Sequence, residues 1–144
     1  MPAAPPRPKR MLFVCVGNSC RSQMAEALAR HRAGDVIEPL SAGISPLGSV
    51  AEMTRRVLLE RGVRTDGLFS KGLRDVDRDT ADLIINMTGI PGGSLFPGAN
   101  VEDWEIEDPY GEDLATYHRI CDDIEEKILE LAARFRAARA ADQT

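Results

Sequence analysis

The sequence predicts an α/β fold: a single doubly wound domain with a four-stranded parallel sheet and helices on both faces. Short apolar runs of strand length alternate with segments of helical periodicity, and this alternation favours parallel strands joined by crossover helices. The run at 82–87 has a continuous apolar centre, which is typical of a strand covered on both sides. The chain has 144 residues, 43% of them hydrophobic, which suffices for one domain with a substantial core.

The first strand and helix enclose the most distinctive stretch of the chain. Residues 11–16 form an apolar run of strand length, and a Gly-Asn-Ser turn follows at 17–19. Helical periodicity begins after this turn. The helix is expected to reach about Arg32 and to stop at Gly34.

A second strand and a surface helix come next. Residues 36–40 predict the strand, and Pro39 within it favours an edge position because proline cannot donate a hydrogen bond to a neighbouring strand. Residues 49–61 carry an apolar stripe with Gly62 just past its end, which predicts a helix with a glycine stop.

The segment before the third strand has weaker patterns. Residues 66–74 are expected to be irregular, with Ser70 and Lys71 facing solvent. Residues 75–81 predict a short helix whose acidic side chains are solvated. The strand at 82–87 follows directly.

A fourth strand and a long helix close the domain. Residues 101–106 predict the strand, and Trp104 within it is expected to pack in the core rather than at a ligand site. Apolar residues then recur every three or four positions from Leu114 to Phe135, which predicts an amphipathic helix. Cys121 lies on the apolar face of this helix and is therefore assigned to the core.

Two tails bound the predicted domain, which spans residues 11–136. Residues 1–10 contain four prolines and three basic residues and are expected to form a disordered, proline-rich tail. Residues 137–144 are expected to fray as a C-terminal tail.

Composition narrows the classes of function. The net charge of −5, with no basic stripe, argues against nucleic-acid binding. No apolar run near the start is long enough for a signal peptide or a membrane span, and three cysteines without an export signal indicate a reducing, cytoplasmic location. Two histidines and the absence of a Cys-x2-Cys pair argue against a metal site.

Cys15 and Arg21, separated by five residues, flank the first turn. A small-residue loop between a strand and a helix N-terminus can cradle an anion, because its N–H groups point inward and the helix adds partial positive charge. The same groups stabilise a thiolate, and a guanidinium can hold two oxygens of a tetrahedral oxyanion. The loop residues expected to bind phosphate are Val16, Gly17, Asn18, Ser19, Cys20 and Ser22.

Two side chains of this loop are expected to support the nucleophile. Ser22 can donate a hydrogen bond to the thiolate, and Asn18 can brace the loop by bonding its own backbone. A lone cysteine at the end of a buried strand is usually a core residue. The Cys-x5-Arg spacing across a strand, a loop and a helix instead indicates a nucleophile beside a bound oxyanion.

One octapeptide carries a family resemblance. The run Cys15-Val16-Gly17-Asn18-Ser19-Cys20-Arg21-Ser22 resembles the signature loop of the low-molecular-weight protein tyrosine phosphatases and of the related thioredoxin-coupled arsenate reductases. The resemblance extends over most of the chain. It implies phosphomonoester hydrolysis through a cysteinyl-phosphate intermediate, without a metal ion or an organic cofactor. The implied partners are a phosphoprotein or small aryl phosphate substrate and a phosphate or other oxyanion in the loop, with no nucleic acid and no membrane.

Asp108, Pro109 and Tyr110 resemble the acid loop of the same family. Phosphoryl transfer to a thiolate leaves an oxyanion that needs a proton, which a carboxylic acid supplies before it takes a proton from the attacking water. The resemblance implies that Asp108 is this general acid and base and that Tyr110 lines the substrate slot. Gly111 stands where eukaryotic members often have a second tyrosine.

A loop at 41–46 corresponds to one that lies beside the signature loop in the resembled family. Ser41 is expected to help hold the signature loop and to border the slot. The family often uses an aromatic side chain here as one wall of the slot, and the candidates in this chain are Ile44 and Leu47. Neither is aromatic, which argues against a strong preference for phosphotyrosine.

Other activities stay open at this point. Protein-arginine phosphatases look similar but carry a small polar residue just before the second loop cysteine, where Ser19 stands here. Thioredoxin-coupled arsenate reductases share that serine, but they carry relay cysteines after the third strand, whereas residues 87–89 of this chain contain none. Arsenate reduction through Cys15, using Cys20 or an external thiol, is the oxidoreductase alternative. A reversible disulfide between these two cysteines, which shields the nucleophile from over-oxidation, is a further hypothesis.

Overall fold

The computed structural model describes residues 7–142. Four parallel strands form one sheet in the order β2-β1-β3-β4, which confirms the predicted fold class. The elements in chain order are β1 Lys9–Cys15, α1 Arg21–Ala33, β2 Ile37–Gly43, α2 Glu52–Glu60, β3 Leu83–Asn86, α3 Gly92–Leu95, β4 Val101–Asp103 and α4 Leu114–Asp142. Two short 3₁₀ turns, Leu73–Asp75 and Arg78–Thr80, precede β3.

β1 lies inside the sheet and separates two apolar cores. Its side chains alternate, so that Met11, Phe13 and Cys15 face the larger core and Leu12 and Val14 face the smaller one. Apolar residues of α1, α2 and α4 fill the larger core, and the smaller core is closed by α3 and the 3₁₀ segment. Helical cover on the second face is therefore much lighter than on the first.

Pro39 lies in an edge strand, and Gly34 and Gly62 lie at helix ends, as the sequence predicts. β2 contains Pro39 and is an edge strand. Gly62 follows α2 with a φ of +73°, the left-handed conformation of a glycine stop. Gly34 caps α1 with a φ of −60°, so α1 ends there without a left-handed residue.

Several element boundaries differ from the predicted ones. Residues 75–81 form no regular helix, because the chain makes only two 3₁₀ turns between 73 and 80. β4 stops at Asp103 because its pairing with β3 covers only three residues. β1 begins at Lys9, inside the predicted N-terminal tail, whose residues 1–6 lie outside the described part of the chain.

The C-terminal helix is longer than predicted. α4 continues to Asp142 instead of fraying from residue 137, and residues 143–144 lie outside the described part of the chain. Alanine-rich sequence favours helix in this last stretch. Arg139 also donates to the carbonyl oxygen of Asp35 at 3.0 Å, which ties the end of α4 to the α1–β2 connection.

Two core assignments are confirmed. Trp104 is buried, and its ring centroid lies 6.0 Å from that of Phe13. Cys121 is fully buried on α4, and burial raises the pKa of its thiol to about 12. Over the described residues, no helix combines the length and the apolar character that crossing a membrane requires.

The prediction that Lys71 faces solvent is wrong. Its side chain is only 8% exposed, because the ammonium group pairs with the buried carboxylate of Glu26 at 3.4 Å. Ser70, predicted to be exposed as well, is partly buried and donates to the carbonyl oxygen of Gly17 at 3.2 Å. The segment before the 3₁₀ turns therefore packs against the loop that follows β1.

Candidate active site

The backbone of residues 15–22, called the 15–22 loop below, turns its carbonyl groups outward. The carbonyl oxygens of residues 15–19 each accept a hydrogen bond, at 2.9–3.2 Å, from a group outside the turn. The donors are the amides of Ile44, Ser45, Leu47 and Ala51 and the side-chain amide of Gln23. In a trans peptide the carbonyl of one residue and the N–H of the next point in opposite directions. The N–H groups of residues 16–20 therefore point inward, toward one centre.

Asn18 holds the bend of this loop. Its φ is +48°, a left-handed conformation that asparagine tolerates better than most residues, and it is fully buried. Its side-chain Nδ2 donates to Ser22 Oγ at 2.7 Å and to Ser41 Oγ at 3.0 Å. Its Oδ1 accepts from the backbone N–H of Lys71 at 2.8 Å. The bend is thus fixed to α1, β2 and the segment before the 3₁₀ turns.

The sulfur of Cys15 lies at the start of the loop. Cys15 ends β1, and its Sγ lies 2.9 Å from Ser22 Oγ. A cavity of about 190 Å³ opens over it, lined by Cys15, Val16, Gly17, Ser19, Cys20, Arg21, Leu47, Asp108 and Tyr110. The carboxyl ends of parallel strands are the usual ligand sites of such sheets, and the cavity lies at that end of β1.

Arg21 presents one edge of its guanidinium to the cavity. Its Nη1 donates to the backbone carbonyl oxygens of Met87 and Ile106, which anchors the opposite edge. Within residues 7–142 its buried Nε has no hydrogen-bond partner, and its Nη2 lies 3.7 Å from Asp108 Oδ2. Nε and Nη2 lie on one edge of the guanidinium, a fork that can hold two oxygens of a tetrahedral anion.

Asp108 lies opposite the loop across this cavity. Its side chain is 52% exposed, and its Oδ1 accepts from the backbone N–H of Tyr110 at 3.1 Å. The neighbouring Pro109 is buried, which restrains the turn. Tyr110 is 58% exposed at the mouth of the cavity.

The structure separates the predicted site residues into two groups. Cys15, Arg21, Asp108 and Tyr110 line one cavity together with loop residues 16, 17, 19 and 20. Asn18, Ser22 and Ser41 are not among the cavity-lining residues; their side chains hydrogen-bond to one another behind the loop backbone. Ser41 is fully buried, so it holds the loop but does not border the slot.

The prediction that Ile44 borders the slot is wrong. Its side chain packs against the smaller core with Leu73 and Val76, on the other side of the sheet from the cavity. Of the two candidates for this wall of the slot, Leu47 is the one that lines the cavity, and its side chain is 55% exposed. Leu47 reaches the cavity because its amide bonds the carbonyl oxygen of Gly17 at 3.0 Å.

Cys20 is buried in the same loop as Cys15. Its Sγ lies 3.3 Å from the hydroxyl of Tyr117, and burial raises the pKa of the Cys20 thiol. Burial likewise raises the pKa of Tyr117. Whether Cys15 and Cys20 form a disulfide remains a prediction, and mass spectrometry after mild peroxide treatment tests it.

Three residues that support the loop from behind were not predicted from the sequence. Glu26 and Gln23 lie on α1, and Lys71 reaches the same region from a segment distant in sequence. Glu26 follows Ser22 by four residues, so helical periodicity places both on one face and could have indicated the carboxylate. No local pattern marks Lys71.

Gly43, at the end of β2, is in direct contact with the loop. A Cβ at this position would lie 2.7 Å from the carbonyl oxygen of Val16 and 2.9 Å from the amide of Asn18. We expect Gly43→Ala to displace the loop and to cost about 1–3 kcal/mol of stability, measured as the free energy of unfolding in urea. The matched control is Gly93→Ala in α3, where an added Cβ meets nothing within 4 Å. Equal stability of the two variants would contradict this description of the contact between Gly43 and the loop.

The comparisons with known proteins cover almost the whole chain. The sequence model described as low molecular weight phosphotyrosine protein phosphatase matches residues 10–141. A glutaredoxin arsenate reductase from Synechocystis sp. is 31% identical over 131 residues, which is 88% of this chain and 98% of the relative.

Two solved structures with similar folds have different activities in their descriptions. An arginine phosphatase from Geobacillus stearothermophilus is 28% identical with a TM-score of 0.79, over 93% of this chain and 97% of the other. A low molecular weight protein tyrosine phosphatase from T. tengcongensis is 28% identical with a TM-score of 0.79, over 88% and 99%. The comparisons thus span three activities that share one fold.

Proposed function

Because the chain belongs to the low molecular weight phosphotyrosine protein phosphatase family, we propose that it is a phosphomonoester hydrolase that acts through a cysteinyl-phosphate intermediate. One observation carries the proposal. The sulfur of Cys15, the open edge of Arg21 and the carboxylate of Asp108 line the same cavity, above a ring of inward N–H groups. A nucleophile, an anion clamp and a proton donor are the three parts that phosphoryl transfer to a thiolate needs.

In the first step the phosphoryl group passes to Cys15. The sulfur attacks phosphorus, an S–P bond forms, and the P–O bond to the leaving group breaks. Loop amides and Arg21 hold the three equatorial oxygens, where the negative charge of the transition state lies. Asp108 gives its proton to the departing oxygen, which leaves as an alcohol or phenol.

In the second step water releases the phosphoryl group. Water attacks phosphorus while Asp108, now a carboxylate, takes one of its protons. The S–P bond breaks, inorganic phosphate leaves, and the sulfur departs as a thiolate. Ser22 Oγ, at 2.9 Å, is placed to donate a hydrogen bond to that thiolate.

Protein-arginine phosphatase activity is the second candidate, and the walls of the cavity favour it. Ser19, a small polar residue, lines the cavity at the position where the arginine phosphatases of the resembled family also have one. The walls at Val16 and Leu47 are aliphatic, so among the described residues that line the cavity only Tyr110 is aromatic. One ring can stack on a phenyl group, but two would enclose it better.

Arsenate reduction is supported less well by this chain. The relay in the thioredoxin-coupled reductases needs a cysteine after the third strand, and residues 87–89 are Met, Thr and Gly. Cys121 is fully buried on α4 and cannot deliver a disulfide to a surface partner without local unfolding. Cys20 is left as the one other thiol beside Cys15.

A panel of substrates tests these alternatives. The purified protein is assayed with p-nitrophenyl phosphate, a phosphotyrosine peptide, a phosphoarginine peptide, and arsenate supplied with thioredoxin or glutaredoxin. We expect hydrolysis of p-nitrophenyl phosphate and of at least one phosphopeptide. Arsenate turnover without any phosphatase activity would overturn the proposal.

Asp108→Asn is expected to lower kcat about 10²-fold, because an amide cannot give or take the proton. The loss is expected to be larger for an alkyl phosphate, whose leaving group needs the proton, than for p-nitrophenyl phosphate. Asp113→Asn, on the neighbouring turn and bonded to Thr116, is the matched control and should keep its activity within about twofold. Equal losses for the two substrates would argue against a role of Asp108 as proton donor.

A further inference from the structure

An ion pair is buried directly behind the 15–22 loop. Glu26 and Lys71 have side chains only 6% and 8% exposed, and Lys71 Nζ lies 3.4 Å from Glu26 Oε1. The ammonium also donates to Ser41 Oγ at 3.1 Å and to the carbonyl oxygen of Phe69 at 3.3 Å, with the Phe69 ring 4.6 Å away. All three of its protons thus have acceptors, so the buried charge is fully satisfied.

The carboxylate fixes the direction of the hydrogen bond from Ser41. Ser41 Oγ lies 2.7 Å from Glu26 Oε1, and a carboxylate can only accept, so Ser41 donates its single proton there. The lone pairs of Ser41 then accept from Lys71 Nζ and from Asn18 Nδ2. Both charged residues therefore act on Asn18 through one hydroxyl group.

The orientation of the Asn18 side-chain amide fixes the direction of the hydrogen bonds between Ser41 and Cys15. The backbone N–H of Lys71 can only donate, which identifies Oδ1 as the Asn18 atom that faces it and leaves Nδ2 to face Ser22. Ser22 Oγ accepts from Nδ2, and its proton is left for Cys15 Sγ at 2.9 Å. One chain of hydrogen bonds therefore runs from the buried ion pair to the sulfur.

We propose that Glu26 and Lys71 are positioning residues whose charges tune the affinity of the 15–22 loop for oxyanions. Lys71 adds positive potential behind the anion cradle, and Glu26 offsets part of it. The inference rests on the proposed function, since it takes a phosphoryl oxyanion as the ligand of the loop. The pair itself never touches that ligand.

A purely structural pair would behave differently when it is broken. If the two residues only filled space and held the loop, then loss of either would disorder the cradle and weaken anion binding. If their charges matter, loss of the cation and loss of the anion shift the affinity in opposite directions. The sign of the change therefore separates the two accounts.

The experiment measures the Kd of inorganic phosphate by calorimetry at one neutral pH, with no catalytic assay involved. We expect Lys71→Met to weaken phosphate binding about three- to tenfold, as expected for loss of one charge near the anion inside a protein. Glu26→Gln should tighten binding about threefold. The double variant restores the balance and should bind within about twofold of the wild type.

Arg30→Gln is the matched control. Arg30 pairs with the other oxygen of Glu26 at 3.2 Å, but its side chain is 53% exposed, so solvent screens the charge. We expect its phosphate affinity to stay within about twofold of the wild type. Circular dichroism and the melting temperature establish that each variant is folded.

The outcomes separate this inference from the proposed function. Absence of phosphate binding in the wild type would contradict the proposed function itself. Phosphate binding in the wild type, with both single variants weakened, would overturn only the charge proposal. If Lys71→Met does not fold, Glu26→Gln decides alone, since tighter binding supports the proposal and weaker binding overturns it.

Discussion

Replacement of Cys15 by serine is expected to lower kcat/KM for p-nitrophenyl phosphate by at least about 10⁴-fold. A hydroxyl group is a far weaker nucleophile than a thiolate, because at neutral pH it is almost entirely protonated. Ser22 Oγ, the hydroxyl 2.9 Å from the sulfur, cannot act as a base toward the serine that replaces Cys15. The measurement is initial-rate kinetics with the wild type and the variant at matched concentrations.

The control for this variant is Cys121→Ala. Cys121 is the third cysteine of the chain and is fully buried on α4, in the core rather than in the cavity. We expect this variant to keep its kcat within about threefold, at a cost of about 1–2 kcal/mol in stability. Substantial activity in Cys15→Ser, or its loss in Cys121→Ala without unfolding, would contradict the assignment of the nucleophile.

Arg21→Lys has the second largest expected effect, a loss of about 10³-fold in kcat/KM. The guanidinium is held by Met87 and Ile106 carbonyl oxygens on one edge, so that Nε and Nη2 face the cavity together. An ammonium cannot make both sets of contacts, so either the anion or the two buried carbonyl groups lose their donor. The loss should fall mainly on kcat, because the equatorial oxygens carry the most charge in the transition state.

Arg55→Lys supplies the matched comparison. Arg55 also binds two backbone carbonyl oxygens, those of Thr65 and Leu68, but it does not line the cavity. We expect its kcat/KM to stay within about threefold of the wild type. If Arg21→Lys lowers kcat/KM no more than Arg55→Lys does, the proposed role of Arg21 in holding the phosphoryl oxygens is wrong.

The part of the site that is contiguous in sequence was predictable. Cys15, Arg21 and the residues between them carry the strand, turn and helix signals within one short segment, so local pattern fixes their geometry. Asp108 was also identified, although it lies far along the chain, because the acid loop resembles that of a known family. Both segments follow strands of a parallel sheet, whose carboxyl ends meet at one edge.

The supporting residues could not be predicted in the same way. Lys71 lies in an irregular segment, where a lysine side chain is usually solvated unless it pairs with a buried acidic group. That partner, Glu26, belongs to another element, so only the tertiary packing shows the pair. The prediction for Ile44 was wrong for a related reason. The direction of the backbone after β2 decides which side of the sheet the Ile44 side chain faces, and local sequence does not determine that direction.

The boundaries that differ follow from tertiary contacts as well. α4 extends through residues 137–142, where alanine-rich sequence favours helix and Arg139 donates to the carbonyl oxygen of Asp35, 104 positions earlier in the chain. β4 is short because only three of the four β3 residues, Ile84, Ile85 and Asn86, pair with it. Local propensity could not have indicated either partner.

Rapid acid quenching of the enzyme during turnover of radiolabelled phenyl phosphate tests the central claim most directly. The account predicts a labelled protein whose phosphoryl group maps to the peptide containing Cys15, and no label in Cys15→Ser. Steady turnover with no phosphoryl group on Cys15, or with the label on another residue, would contradict it.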